Sequence, residues 1–113
     1  MIDFKESHHG DATVVALSGK LDAATTPAAE ARLLELVRGG HKFLALDFSG
    51  VTYLASSGLR MLLVVTKQIS ALEGQLVLCG LDQTMRDTLE VTGFLPYFFL
   101  ADSADDARKL LDE

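Results

Sequence analysis

The pattern of apolar and polar residues along the chain predicts strands and helices in alternation. Ile2 and Phe4 alternate with polar residues, and an extended apolar stretch at 13–17 follows a turn at 10–11, so the chain opens with two short strands. Apolar residues then recur with helical spacing between shorter runs that are typical of buried strands. The elements predicted next are a helix over 27–38, a strand over 43–48, a helix over 56–72, a strand over 75–80, a helix that Asp82 caps and that ends near 92, a strand over 97–100 and a last helix that begins at Ser103.

This order, ββαβαβαβα, is typical of the α/β class. We expect a mixed, mostly parallel five-stranded sheet packed with four helices, in one domain that spans residues 1–113. Thr26 before Pro27 predicts the N-cap of the first helix, and Ser103 with Asp106 has capping-box spacing. The residues predicted to face the core are Leu59, Leu62, Leu63, Thr66 and Ile69 in the second helix and Ala107, Leu110 and Leu111 in the last.

Composition and charge exclude several classes of function. The net charge is −6 and the isoelectric point is about 4.9, so the surface repels nucleic-acid phosphates and anionic membranes, and we expect neither as a partner. The longest apolar run, 61–65, is far too short to cross a bilayer, and the N-terminus lacks the pattern of a signal peptide. We therefore expect a cytoplasmic protein. The single cysteine, Cys79, follows apolar residues and is predicted to be a buried structural thiol.

The sequence offers no catalytic or metal-binding constellation, and we expect no enzyme activity, cofactor or metal. A nucleophile elbow, Gly-x-Ser-x-Gly, is absent around Ser56, because Leu54 occupies the first glycine position. His8 and His9 are adjacent on a strand, so their side chains point to opposite faces and are expected to be exposed. His41 follows the first helix, away from the serine.

Two segments stand at predicted carboxyl ends of parallel strands, where such sheets place functional loops: 19–22, which ends in Asp22, and 49–57, a predicted loop that leads into a helix. Ser56 and Ser57 begin that helix. One interpretation is a simple N-cap, in which the Ser56 hydroxyl accepts a hydrogen bond from a free amide. The other is a phosphate site, because free amides and the helix dipole both favour negative charge. The two interpretations are compatible.

The segment 47–60, Asp-Phe-Ser-Gly-Val-Thr-Tyr-Leu-Ala-Ser-Ser-Gly-Leu-Arg, resembles the signature of the STAS domain, in the anti-sigma factor antagonist (anti-anti-sigma factor) family. Gly19-Lys20-Leu21-Asp22 is similar to a second motif of that family, and 93–107 is similar to its third helix, last strand and last helix, so the resemblance covers the whole chain. The resemblance implies a superhelical (βα) layer with strands in nearly sequential order.

The same resemblance implies a partner switch in a bacterial signalling system. Proteins of this family bind an anti-sigma factor, a serine kinase of the GHKL ATPase type, and so release the sigma factor. The kinase phosphorylates the first serine of the pair, here Ser56, and the complex dissociates; a PPM-type serine phosphatase reverses the step. Ala55 stands where the best-studied members have Asp. A second function therefore stays open, a ligand-sensing or scaffold STAS domain that is never phosphorylated.

The helix after Ser56 carries a stripe formed by Arg60, Val64, Lys67 and Ala71, about 100° from its core face. Met61 and Val65 on the flank make the helix apolar over a wide arc, which fits either deep packing on the sheet or a partner contact with basic ends. Gly58 would allow a partner to approach the backbone. By resemblance Asp22 belongs to the docking surface, and we expect a monomer when the protein is free. The predicted partner-binding residues are Asp22, Ser56, Ser57, Gly58, Arg60, Val64 and Lys67.

Overall fold

The structure is a computed structural model, and it describes residues 2–111. Strands and helices alternate in the predicted order. The elements are β1 (Ile2–His9), β2 (Ala12–Leu21), α1 (Thr26–Arg38), β3 (Phe43–Leu54), α2 (Ser56–Ala71), β4 (Gln75–Cys79), α3 (Gln83–Val91), β5 (Phe99–Ala101) and α4 (Ala104–Leu111), with a 3-10 turn at Leu95–Tyr97 before β5.

The five strands form one sheet in the order β1-β2-β3-β4-β5. β1 is antiparallel to β2, and each later neighbouring pair is parallel. The predicted mixed, mostly parallel sheet is therefore confirmed, and so is the expectation that Ser56 begins a helix.

Helices cover the two faces of the sheet unequally. Strand residues such as Leu44 and Leu46 point to one face, where they pack with apolar residues of α1, α2 and α3 in the larger core cluster. On the opposite face α4 packs through Ala107 and Leu111 against a smaller cluster that includes Ala12 and Ala45. Small side chains on both sides of that contact let the short helix lie close to the strands.

The segment 49–55, predicted as a loop, is mostly strand, because β3 continues to Leu54. The turn-forming residues act within the strand instead: Asp47 Oδ1 accepts a hydrogen bond from the Ser49 amide at 2.9 Å, and the register with β2 shifts nearby. An Asx turn thus produces a bulge that the sequence pattern presents as a loop. The functional loop shrinks to the single residue Ala55 between β3 and α2.

The core face of α2 is wider than predicted. Met61 and Val65, placed on the flank, are buried, whereas Leu63 and Thr66, placed in the core, are only half-buried. The reason is that α2 packs against α1 as well as against the sheet, and this turns the Met61 side inward. Deep packing is therefore the correct interpretation for these two residues.

The helix ends follow the predicted chemistry with some shifts. Ser103 Oγ accepts from the Asp106 amide at 3.1 Å and Asp82 Oδ1 from the Met85 amide at 2.8 Å, so both predicted caps are confirmed. Thr26 is the first residue of α1, not its N-cap, which is Thr25. Leu110, predicted to face inward, is 45% exposed because the eight-residue α4 buries only one narrow stripe. The last strand begins at Phe99 because Pro96 lies in the 3-10 turn.

Candidate functional site at the carboxyl ends of β2 and β3

Parallel pairing brings the two predicted functional segments to one edge of the sheet. Leu21 pairs with Leu54 at the ends of β2 and β3, and the Ala55 amide donates to the Leu21 carbonyl at 2.9 Å. Asp22 and Ser56 are each the next residue along their chains. The Asp22 turn and the start of α2 are therefore held side by side by backbone hydrogen bonds.

The start of α2 leaves polar groups without partners. Ala55 is the N-cap, with extended backbone, and its carbonyl accepts from the amides of Gly58 at 3.0 Å and Leu59 at 3.2 Å. Within residues 2–111 the amides of Ser56 and Ser57 have no acceptor, and the exposed Ser56 hydroxyl has no hydrogen-bond partner. The interpretation of Ser56 as a side-chain cap is therefore wrong. Free amides, the positive helix end and an exposed hydroxyl converge at one place.

The Ser57 hydroxyl lies in a different environment. Thr26 Oγ1 is 2.5 Å from the Asp22 carbonyl oxygen and 3.3 Å from Ser57 Oγ. A carbonyl oxygen only accepts, so the single Thr26 hydroxyl proton is donated to Asp22, and Ser57 must be the donor to Thr26. Thr26 is 7% exposed and Ser57 is half-buried. The second serine is thus part of a hydrogen-bond relay that joins α2 to α1, whereas the first is free.

Asp22 organises the turn that leads into α1. Its Oδ1 accepts from the amides of Ala24 at 3.0 Å and Thr25 at 3.1 Å. The Thr25 hydroxyl lies 3.2 Å from the same oxygen, donates to the Lys20 carbonyl at 2.6 Å and accepts from the Asp22 amide at 3.0 Å. The Thr25 amide, more than any other contact, holds the pKa of the Asp22 carboxyl below its ordinary value of 3.8. Asp22 is therefore a charged group with a structural role in the turn next to Ser56.

A groove of about 280 Å³ runs between α1 and α2 beside the serine pair. Arg60 and Val64 of the predicted stripe line one wall, and both side chains are exposed. Glu30 of α1 lies on the other wall and forms no ion pair with Arg60. Lys67 is exposed further along α2. The residues lining the groove are Ala23, Thr26, Pro27, Glu30, Ser57, Arg60, Met61 and Val64.

Gly58 is buried, and its surroundings explain the glycine without a partner. A Cβ atom there would lie 2.7 Å from Leu54 Cδ1 and 3.4 Å from Leu21 Cβ. The absence of a side chain lets α2 begin directly over the ends of β2 and β3. Contact between Gly58 and a partner stays a prediction.

The remaining chemically interesting residues lie away from this edge. His8 and His9 are exposed, as predicted, but His8 also shares a partner with His41: the Nδ1 atoms of both lie 3.2 Å from the hydroxyl of the buried Thr13. Cys79 is buried as predicted, and burial, with a smaller effect of the Asp47 charge, raises the pKa of its thiol to about 12. Within residues 2–111 no group of three or more potential ligands could hold a metal ion.

Sequence reasoning missed the Thr26–Ser57 contact and the Thr13 cluster. The first joins residues 31 positions apart and the second joins residues 28 positions apart. Threonine at a helix start has the same local pattern whether its hydroxyl caps the helix or contacts another element. No local signal distinguishes the two.

The chain belongs to the STAS-domain family, whose profile matches residues 4–107. Within that family it is related to the anti-sigma factor antagonists. BtrV of Bordetella bronchiseptica, which is named as one, is 36% identical over 94 residues, or 83% of this chain and 81% of BtrV.

Solved structures agree with this placement. The crystal structure of an anti-sigma factor antagonist from Mycobacterium paratuberculosis superposes with a TM-score of 0.91 at 26% identity, covering 100% of this chain and 96% of that one. The Bacillus protein SpoIIAA, solved in its phosphorylated form, has the same fold at 20% identity, with a TM-score of 0.73 over 96% of this chain and 99% of that one. Among residues 2–111 no helix has the length and apolar character needed to span a bilayer.

Proposed function

We propose that this protein is a phosphorylation-switched regulator that acts as a single cytoplasmic domain and not as an enzyme. In its unphosphorylated form it binds an anti-sigma factor that is also a GHKL-type serine kinase, and so relieves inhibition of a sigma factor. Phosphorylation of Ser56 releases the kinase, and a PPM-type phosphatase restores the binding form. The docking surface is formed by Asp22, the start of α2 and the exposed stripe Arg60, Val64 and Lys67.

The contrast between the two serines carries this proposal. Ser56 is exposed and its hydroxyl has no partner within residues 2–111, so a kinase can reach it without breaking any contact of the fold. Ser57 donates to Thr26 and is half-buried. Geometry thus favours the same serine that the family resemblance implies.

The position of Ser56 also suits a group that becomes charged. A phosphate adds about −1.5 to −2 charge, and at a helix N-terminus the dipole and free amides favour it by about 0.3–1 kcal/mol. The fold therefore tolerates the modification. At a docking surface the same charge, left unpaired and desolvated, costs several kcal/mol, and about 1.4 kcal/mol is already tenfold in affinity. SpoIIAA, which has the same fold, is known in unphosphorylated and phosphorylated forms.

Ala55 favours a second candidate, a ligand-sensing or scaffold STAS domain that is never phosphorylated. The geometry does not require a carboxylate side chain at this position, because Ala55 makes its contacts through the backbone. Its amide donates to the Leu21 carbonyl, and its carbonyl accepts from amides in the first turn of α2. Helix α2 can therefore present Ser56 without a carboxylate at position 55. The two candidates differ in whether Ser56 becomes phosphorylated.

The deciding experiment combines capture of a partner with mapping of the phosphate. The purified protein is incubated with ATP and a panel of bacterial GHKL-type serine kinases, and complexes and phosphosites are identified by mass spectrometry. We expect a kinase that binds the protein and phosphorylates Ser56. Ser56→Ala should bind without being phosphorylated, and Ser57→Ala should retain both properties. A stable complex in which Ser56 is never modified would favour the scaffold function instead.

A further inference from the structure

Arg60 is an exposed cation in the first turns of α2 that the fold does not use. Its guanidinium forms no hydrogen bond or ion pair within residues 2–111, although Glu30 lies across the same groove. Two other arginines are engaged in ion pairs: Arg32 with Glu6 and Glu35, and Arg86 with Asp102. Arg38, at the far end of α1, resembles Arg60 in forming no ion pair with any residue of 2–111. A free guanidinium is thus available for a new anion nearby.

The four-residue spacing allows the Arg60 side chain to reach an anion on Ser56. Four residues along a helix return to nearly the same side, about 40° away around the axis and about 6 Å along it. Side chains of a helix lean towards its N-terminus, so the Arg60 side chain is directed back towards Ser56. Pairs with the anion four residues before the cation are also the favourable orientation, since they match the helix dipole.

We infer that Arg60 is the internal counter-ion of a phosphate on Ser56, an inference that rests on the proposed function of that serine. An arginine can donate two hydrogen bonds to one phosphate, which makes the pair directional as well as electrostatic. Phosphorylation then changes the docking surface twice. It adds negative charge at the helix start, and it withdraws from the groove the positive side chain that faces Glu30.

The other charged side chains at this end of the sheet do not match this arrangement. Lys20 belongs to β2, where it pairs with Tyr53, and it is not on the helix that carries the phosphate. Asp22 and Glu30 are acidic and would repel a phosphate. Lys67 is on α2 and carries the same charge as Arg60, but it lies eleven residues from Ser56, about 16 Å along the axis. Lys67 is therefore a matched control.

The test installs phosphoserine at position 56 during translation, so no kinase is needed. The second ionisation of the phosphate, ordinarily near pH 6, is followed by ³¹P NMR in the otherwise unchanged protein and in Arg60→Gln, Lys67→Gln and Lys20→Gln. Arg60 stabilises the doubly charged phosphate, so Arg60→Gln should raise the proton affinity of the phosphate about twofold, shifting its midpoint upward by about 0.3 pH unit. The difference should shrink in 1 M salt, because an exposed ion pair is screened.

Lys67→Gln and Lys20→Gln should leave the midpoint within about 0.1 pH unit of the parent, because neither amine is placed to pair with the phosphate. Equal shifts of the titration midpoint in Arg60→Gln and Lys67→Gln would mean that the phosphate responds to the net charge of the protein and not to a specific pair. That result would overturn the inference. A shift of the midpoint in Lys20→Gln alone would also overturn the inference, because Lys20 would then be the counter-ion of the phosphate. Failure of the proposed function is seen separately, as the absence of any kinase that modifies Ser56.

Discussion

The two ends of strands β2 and β3 differ in whether nearby hydroxyl groups have hydrogen-bond partners. At the amino end the Thr13 hydroxyl, 2% exposed, lies 3.2 Å from the Nδ1 atoms of His8 and His41, and so joins β1, β2 and the segment before β3. At the carboxyl end the Ser56 hydroxyl and two helix amides have no partner within residues 2–111.

This difference indicates that the amino end of the sheet contributes to the stability of the fold, whereas the carboxyl end is available for modification and binding. The buried Thr13 hydroxyl at the amino end is paired, because a buried unpaired hydroxyl there would destabilise the fold. Unpaired groups at the carboxyl end are tolerated because Ser56 is exposed and water solvates it. Substitutions at the amino end should therefore lower stability, whereas a negative charge at position 56 should weaken binding and leave the fold intact.

The largest effect on stability is expected at the amino end, from Gly74→Ala. A Cβ atom at Gly74 would lie 2.1 Å from the Lys42 carbonyl oxygen, which is backbone and accepts from the Gln75 amide at 2.8 Å. The backbone would have to move, and we expect the free energy of unfolding in urea to fall by about 3 kcal/mol. Gly39→Ala is the control, because its Cβ would meet nothing closer than 3.4 Å, and it should stay within about 0.5 kcal/mol of the parent. Equal losses from both would contradict the steric argument.

The next effect concerns binding at the carboxyl end. Ser56→Asp places a negative charge at the docking surface and should weaken binding of the kinase captured above by at least about tenfold, while the melting temperature stays close to the parent's. Ser70→Asp is the matched control, since it adds the same charge to an exposed site on the same helix, about 21 Å away along the axis. Isothermal titration calorimetry measures both. Ser56→Asp binding as tightly as the parent would exclude the proposed mechanism.

A smaller and more discriminating effect comes from the same substitution at both ends. Thr13→Val and Thr26→Val each remove one buried hydroxyl that contacts two other residues, and each should lower the free energy of unfolding by about 1 kcal/mol. Only Thr26→Val also releases the Ser57 hydroxyl. In a Ser56→Ala background, we therefore expect the kinase to phosphorylate Ser57 when Thr26 is replaced by valine, and not when Thr13 is.

Phosphosite mapping of the two double variants checks this difference. Incorporation at Ser57 in both would show that Thr26 does not protect it. Absence from both would show that another feature, such as kinase geometry, selects Ser56.

The sequence predicts the parts of this arrangement that depend on local pattern. The order of the elements, the parallel sheet and the helix start at Ser56 all follow from periodicity and from turn and cap residues. The prediction that 49–55 is a loop was wrong, because Asp, Ser and Gly form a bulge within a strand as readily as they form a loop. The inward turn of Met61 could not be predicted either, since it depends on how α1 and α2 pack together.

The site was predictable only in part for the same reason. Ser56 and Asp22 stand out in their local motifs, and parallel pairing was enough to expect them at one edge of the sheet. The roles of Thr26 and of the Thr13 cluster arise from contacts between residues far apart in the chain. The sequence marks Gly58 as a position where a partner could approach the backbone, but it does not show that Gly58 is buried against Leu21 and Leu54.

The smallest effect is expected at Asp22, where the contributions of charge and hydrogen bonding can be separated. Asp22→Ala removes the acceptor of two amide hydrogen bonds in the turn, whereas Asp22→Asn keeps an acceptor oxygen and removes the charge. We expect partner binding to weaken in the order parent, Asn, Ala, with thermal stability near the parent's. The reason is that the turn lies at the surface, with Ala23 and Ala24 exposed and Asp22 half-buried, so it orients the docking surface more than it supports the core. Loss of stability with intact binding would assign Asp22 a purely structural role.

The pH dependence gives an independent check on Asp22. The Thr25 amide lowers the pKa of Asp22 below 3.8, so the folded state favours the ionised carboxylate. The stability that this ionised form contributes is complete above pH 3.8 and is lost as the pH falls through the lower pKa of the folded state. The small difference in melting temperature between the parent and Asp22→Asn should therefore be constant from about pH 8 to pH 5 and shrink towards about pH 3. A difference that grows on acidification would mean that the folded state favours the protonated carboxyl, and the hydrogen-bonded turn would not be the source of its stability.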